Sequence, residues 1–137
     1  MFLARIDVAQ NQLEYVGAGH EAYLFRGGEL SERLESTGAP LGVSGMTPAQ
    51  ARTLTLNDGD TLVMVTDGIL EARNAAGTLF GLEGVAAVVR ANRERSAQEL
   101  LDELFSAMVR HRGKHALDDD ATAVIVKMQR SGHHETA

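Results

Sequence analysis

The chain has 137 residues, a formal net charge of −6, 44% hydrophobic residues, 14 Gly and no Cys. That is the length and composition of one globular domain, and it excludes a disulfide framework, a thiolate metal site and an apolar run of about 18 residues that would span a membrane. The 13 Lys and Arg are scattered, with no aromatic-interleaved basic stretch, so nucleic-acid binding is not expected.

Two Tyr, four Phe and no Trp leave the core to aliphatic side chains. Arg5 and Asp7 interrupt the first apolar run, which spoils a signal peptide. A cytoplasmic location is the default expectation.

In chain order, residues 2–7 read as a strand that begins with almost no leader, and residues 9–12 as a polar turn. Residues 13–16 are the returning strand, Gly17-Ala18-Gly19-His20 a tight loop, and residues 22–26 a further strand that Gly27-Gly28 turns into 29–34. The first quarter therefore reads as an antiparallel meander. Residues 36–47 are loop, with Gly38, Gly42, Gly45 and Pro40 among them and an ordered turn at 39–42. Residues 52–56 alternate with period two. Asn57-Asp58-Gly59-Asp60 then reads as a hairpin turn leading into the strand 61–65.

Leu62-Val63-Met64-Val65 has the look of a strand buried on both faces, and it stops at Asp67, where Gly68 permits a sharp turn. Residues 69–73 read as either a short helix or an extended edge. Residues 74–81 form a loop, and 82–92 a helix with Leu82, Val85, Ala86 and Val89 on one face. Ser96-Ala97-Gln98-Glu99 is a capping-box pattern. The helix it opens carries Leu100, Leu101, Leu104, Phe105, Met108 and Val109 as a core stripe and ends at Gly113. His111 and His115 at that end suit the helix dipole better than a metal. A last strand, 122–128, precedes a polar tail, 130–137, whose His133 and His134 lack partners. Strands, two helices and a final strand make an α+β domain, with both helices on one face of an antiparallel sheet.

Chemistry enters through two acidic stretches. One strand ends at Asp67, and the last begins from Asp118-Asp119-Asp120. If the two strands pair antiparallel, these ends meet. Crowded carboxylates must protonate or hold a cation, and oxygen ligands favour Mg²⁺ or Mn²⁺. Two such ions activate a water for attack on a phosphoester. The plain alternative is a solvated acidic loop capping the last strand, and spacing alone does not exclude it.

The motifs decide. Leu13-Glu14-Tyr15-Val16 followed by Ala18-Gly19-His20, Ala39-Pro40-Leu41-Gly42, Leu56-Asn57-Asp58-Gly59-Asp60-Thr61-Leu62, Thr66-Asp67-Gly68-Ile69-Leu70-Glu71-Ala72-Arg73 with Phe80-Gly81, and Asp119-Asp120-Ala121-Thr122 stand in this order. Together they resemble the SpoIIE-type serine phosphatases of the metal-dependent (PPM, protein phosphatase 2C-like) superfamily, over about residues 1–128. The resemblance implies the C-terminal portion of an α/β/β/α sandwich over residues 1–129. The N-terminal half of that domain, with its Gly-Asp-rich segment and further metal ligands, has no counterpart in the chain.

The resemblance further implies that Asp67 and Asp119 are catalytic ligands of a two-metal Mn²⁺ or Mg²⁺ centre. Asp120 would stand beside them as an orienting group or occasional ligand, and Gly68 would let backbone approach the metal-bound waters. Asp118 would be a loop residue, and His20 lies in a family motif without an assigned catalytic role, ordering its loop being one reading. The implied substrate is a phosphorylated regulatory protein of the anti-sigma-factor-antagonist type. The alternative is a non-catalytic module that binds such a partner, or self-associates through an apolar sheet face left uncovered.

Overall fold

A computed structural model describes residues 1–42, 48–117 and 119–129. Gly45, Asp118 and the 130–137 tail with His133 and His134 lie outside the described residues. The strands are β1 (Phe2–Asp7), β2 (Gln12–Gly17), β3 (Ala22–Arg26), β4 (Glu29–Leu34), β5 (Arg52–Thr55), β6 (Thr61–Val65) and β7 (Ala123–Lys127). The helices are α1 (Asp67–Leu70), α2 (Gly81–Ala91) and α3 (Ala97–Arg112).

The strands form two antiparallel sheets, ordered β1-β2-β5 and β4-β3-β6-β7. The fold is α+β, as the residue pattern implies, but the expected meander divides. β2 and β3 are consecutive in the chain and belong to different sheets, so the Gly17–Glu21 segment is a corner between layers rather than a hairpin. The Asn57–Asp60 turn is likewise a corner, because β5 pairs with β2 while β6 pairs with β3 and β7. Gly59 adopts φ +83, the left-handed conformation that the Asp-Gly pair permits.

The unbroken apolar runs follow from position. β3 and β6 are the inner strands of the four-stranded sheet, covered on both faces. Ala22, Leu24 and Leu62 join Leu13, Tyr15, Leu34 and Leu56 between the sheets. Tyr23, Phe25, Val63 and Val65 face the helices, against Ile69, Val85, Val89, Leu100, Leu104 and Met108. Both long helices therefore lie on one face of the sheet. The α3 stripe is core as expected at Leu100, Leu104 and Met108, but Val109 turns outward and is 46% exposed.

Helix ends follow the local chemistry. The Ser96 side chain accepts from the Glu99 amide while the Glu99 carboxylate accepts from the Ser96 amide, and Gly113 at φ 61 ends α3. His111 meets the Thr78 carbonyl at 2.9 Å and packs its ring edge-on to Phe80, so it pins the 74–78 loop to α3. The open choice over 69–73 divides: residues 69–70 belong to the short helix α1, and Arg73 forms an isolated antiparallel bridge with Leu79.

The outer face of the three-stranded sheet carries Arg5, Asp7, Gln12, Glu14 and Thr53, with an Arg5–Glu14 ion pair at 3.0 Å. This face is largely polar, since alternation sends the apolar half of each strand inward, whereas Val124 of β7 is an apolar residue left 48% exposed. Leu3 is the large apolar residue of β1 that points out, at 62% exposure.

Candidate functional site

β6 and β7 run antiparallel, with Val65 opposite Ala123 as the last ladder pair. Beyond it the two chains stay together by side-chain means. The Thr66 amide donates to the Thr122 carbonyl at 3.0 Å. The Thr66 hydroxyl accepts from the Thr122 amide at 2.9 Å and donates to the Asp120 carbonyl at 3.0 Å. Two residues on, Gly68 is buried against the same segment. A β-carbon there would lie 2.8 Å from the Asp119 carbonyl oxygen and closer still to that of Asp120.

Gly68 is thus needed for close approach. It is absent from the residues with positive φ and sits inside α1, so the sharp-turn role expected of it is not the one it performs. The mainchain of 66–68 and that of 119–122 lie side by side, and Asp67, Asp119 and Asp120 are all exposed there. Asp119 Oδ1 accepts from the Asp120 amide at 2.7 Å, which restrains that carboxylate.

Other motif segments gather at the same end. The Gly17 carbonyl accepts from the amides of Thr37 and Gly38 and from the Ser36 hydroxyl. Gly19 donates to Ser36 Oγ at 2.8 Å and, at φ +75, packs on Pro40, where a β-carbon would come within 2.9 Å of the ring. The Ala-Gly-His loop and the Pro-Leu-Gly loop are therefore one packed unit. It leads to His20, which lines a cavity of about 310 Å³ together with Glu21, Tyr23, Arg33, Asp67 and Leu70.

Arg33 pairs with Glu21 at 2.8 Å across that cavity. Burial and the neighbouring Glu21 carboxylate raise the Tyr23 hydroxyl above the usual tyrosine range, with a smaller push from Asp67. Glu21, Tyr23 and Arg33 were not legible as neighbours of Asp67, because three different elements supply them.

The remaining motif lies elsewhere. Asp60 of the Gly-Asp-x-Leu segment is 2% exposed. It accepts from the Asn57 amide at 2.8 Å and from Arg26 Nε at 3.3 Å, while its carbonyl holds the Met128 amide. This is the opposite end of β6, so Asp60 is a structural carboxylate.

An oxygen-only set of exposed carboxylates suits a hard divalent cation. No group of three or more His, Asp or Glu able to hold a metal occurs among the described residues. Asp67 and Asp119 offer exposed carboxylate oxygens of the kind such a cation takes, without a third His, Asp or Glu completing a group with them among the described residues. No helix among the described residues is long and apolar enough to cross a membrane.

Similar proteins match most of the chain. The phosphoserine phosphatase RsbU of Bacillus subtilis is 26% identical over 129 residues, which are 93% of this chain and 38% of RsbU. The SiaA-PP2C domain of Pseudomonas aeruginosa superposes with a TM-score of 0.81 at 22% identity, over 93% of this chain and 51% of that one. The Mn-presoaked phosphatase domain of SpoIIE from Bacillus subtilis gives 0.72 at 20% identity, over 96% and 57%. The chain thus spans about half the length of these solved domains and less of the full-length relative. With residues 1–129 matching the family model of Stage II sporulation protein E, the chain belongs to the SpoIIE family of phosphatase domains.

Proposed function

We propose that residues 1–129 are the C-terminal portion of a metal-dependent protein serine/threonine phosphatase domain acting in the cytoplasm. In this reading Asp67 and Asp119 hold Mn²⁺ or Mg²⁺ and are the catalytic ligands. Asp120 orients its neighbour, and Gly68 keeps the two acidic segments in contact. When bound, the ions supply a water of lowered pKa and a clamp on the phosphoryl group. The chain's own residues do the rest: Asp119 is held by the Asp120 amide, Asp67 is the first residue of α1, and Asp120 and Thr122 are latched to Thr66.

The observation that carries the reading is the contact of Gly68 with the backbone of Asp119 and Asp120, which sets two exposed carboxylates at neighbouring strand ends. The substrate class is a phosphoserine- or phosphothreonine-bearing regulatory protein, of the anti-sigma-factor-antagonist type that the motif resemblance implies.

A second reading is favoured by the absence of a three-ligand group among the described residues. It takes the chain alone as a non-catalytic partner-binding module. A Mn²⁺-supplemented phosphatase assay on a phosphoserine protein separates the two, run on this chain alone and within a complete catalytic domain. Asp67→Asn and Asp119→Asn should each abolish turnover of the complete domain by at least ~10³-fold. Near-normal turnover in either variant removes that residue from the ligand set. Inactivity of the complete domain, with retained partner binding, favours the module.

A further inference from the structure

The β6–β7 ladder stops at Val65 and Ala123, yet the next four residues of the last strand's leader do not drift away. One hydroxyl accounts for this. Thr66 has an extended backbone, φ −86 and ψ 165, and its Oγ has one proton to give and lone pairs to receive. It gives the proton to the Asp120 carbonyl and receives the Thr122 amide, at 3.0 and 2.9 Å. Its own amide holds the Thr122 carbonyl. Three hydrogen bonds from one residue thus grip both sides of Ala121.

That grip has a direction. Asp67 follows Thr66 in the chain, and Asp119 precedes Asp120. The Thr66 hydroxyl is therefore bonded to the residue after one candidate ligand and belongs to the residue before the other. Gly68 closes the opposite side of the same contact.

We propose that Thr66 is a positioning residue: its hydroxyl sets the spacing between the Asp67 and Asp119 carboxylates, and so the affinity of the pair for a divalent cation. This rests on the metal-holding role proposed for those two residues. Valine at position 66 keeps the shape and β-branching but can neither donate nor accept. Serine keeps the hydroxyl and loses only a methyl. Groups that orient metal ligands are worth about 10–100-fold in affinity, and the Thr66→Val loss should fall in that range.

The test uses two readouts on this chain. Mn²⁺ alone is titrated into isotope-labelled protein, and paramagnetic broadening is followed at the amides of residues 67–68 and 119–120. Hydrogen exchange is followed at the Thr122 amide without metal. The expected result is joint broadening of both segments in the parent chain and in Thr66→Ser. In Thr66→Val, about tenfold more Mn²⁺ should be needed to broaden residues 119–120, and Thr122 should exchange about tenfold faster. Unchanged joint broadening in Thr66→Val overturns the positioning role while the metal role stands. An unchanged Thr122 exchange rate in Thr66→Val overturns the latch itself. A parent chain that Mn²⁺ does not broaden at either segment overturns the metal role, and faster Thr122 exchange in Thr66→Val then still supports the latch.

Discussion

Gly68 and Asp119 touch backbone to backbone: a β-carbon on the glycine would sit 2.8 Å from the aspartate's carbonyl oxygen, inside any normal contact. The atoms opposing it are main chain, held in place by Thr66, and cannot swing aside as a side chain would. Gly68→Ala should therefore force the two acidic segments apart. Overpacking of this kind costs about 1–3 kcal/mol, measurable by urea denaturation. A stability equal to the parent's would show that the contact is looser than described.

Asp60 offers the opposite test of a motif aspartate. It is buried, and among the described residues its carboxylate accepts from the Asn57 amide and Arg26 Nε. Asp60→Ala leaves the Asn57 amide and Arg26 Nε without this acceptor, while Arg26 Nη2 keeps the Thr55 carbonyl. Because the Arg26 side chain is 40% exposed, water recovers part of the loss. A destabilisation of about 2–3 kcal/mol is expected, with Mn²⁺ binding to the folded protein unchanged.

At the start of α3, Ser96→Ala removes the hydroxyl that accepts from the Glu99 amide. Loss of such a cap costs about 1 kcal/mol, read as a lowered midpoint in thermal or urea unfolding. Hydrogen bonds from Ser96, backbone first, hold the Glu99 carboxyl below its ordinary range. This contribution is complete above the ordinary glutamate value and fades as pH falls through the lowered folded value. The gap between parent and Ser96→Ala should accordingly shrink in acid.

Tyr23 gives the alkaline counterpart. Its hydroxyl is raised by burial first and by Glu21 second, so the folded state holds that proton more tightly than the unfolded chain does. The stability it contributes is whole below the ordinary tyrosine value of about 10 and is lost as pH climbs from there through the folded value. Urea midpoints taken on both sides of that value should fall less steeply in Tyr23→Phe than in the parent. Equal alkaline slopes would count against the burial of the hydroxyl.

How much of this the sequence disclosed depends on range. Signals confined to a few residues read correctly: the Ser96–Glu99 capping box, Gly113 at the end of α3, and the left-handed Gly59. The antiparallel meeting of 61–65 with the last strand was also legible, because an apolar run ending in one carboxylate and another starting from three suggests it. Which sheet a strand joins was not. Period-two alternation is the same in either layer, so β2 and β3 read as neighbours although Gly17 and Ser36 bind the corner between them to another loop.

The nearness of the two acidic segments was legible, and what holds them together was not. Thr66 stood inside a recognised motif with no role attached, since a threonine after a strand looks like any polar residue until its partner, 56 positions away, is known. Glu21, Tyr23 and Arg33 likewise acquire a relation to Asp67 only when β3, β4 and β6 are laid side by side.

The latch between Thr66 and Thr122 also fixes when, during synthesis, the acidic pair can exist. β6 and Asp67 emerge early, while their counterpart waits until two helices have been made and closed over the sheet. Joining ends so far apart carries a loop-closure cost that rises only slowly with length, about 0.6 kcal/mol per doubling. Were α2 and α3 to dock first, the effective gap would be shorter when it is bridged. A nascent chain halted within α3 would carry Asp67 without Asp119, so the proposed ion pairing of the two would have to await the last strand.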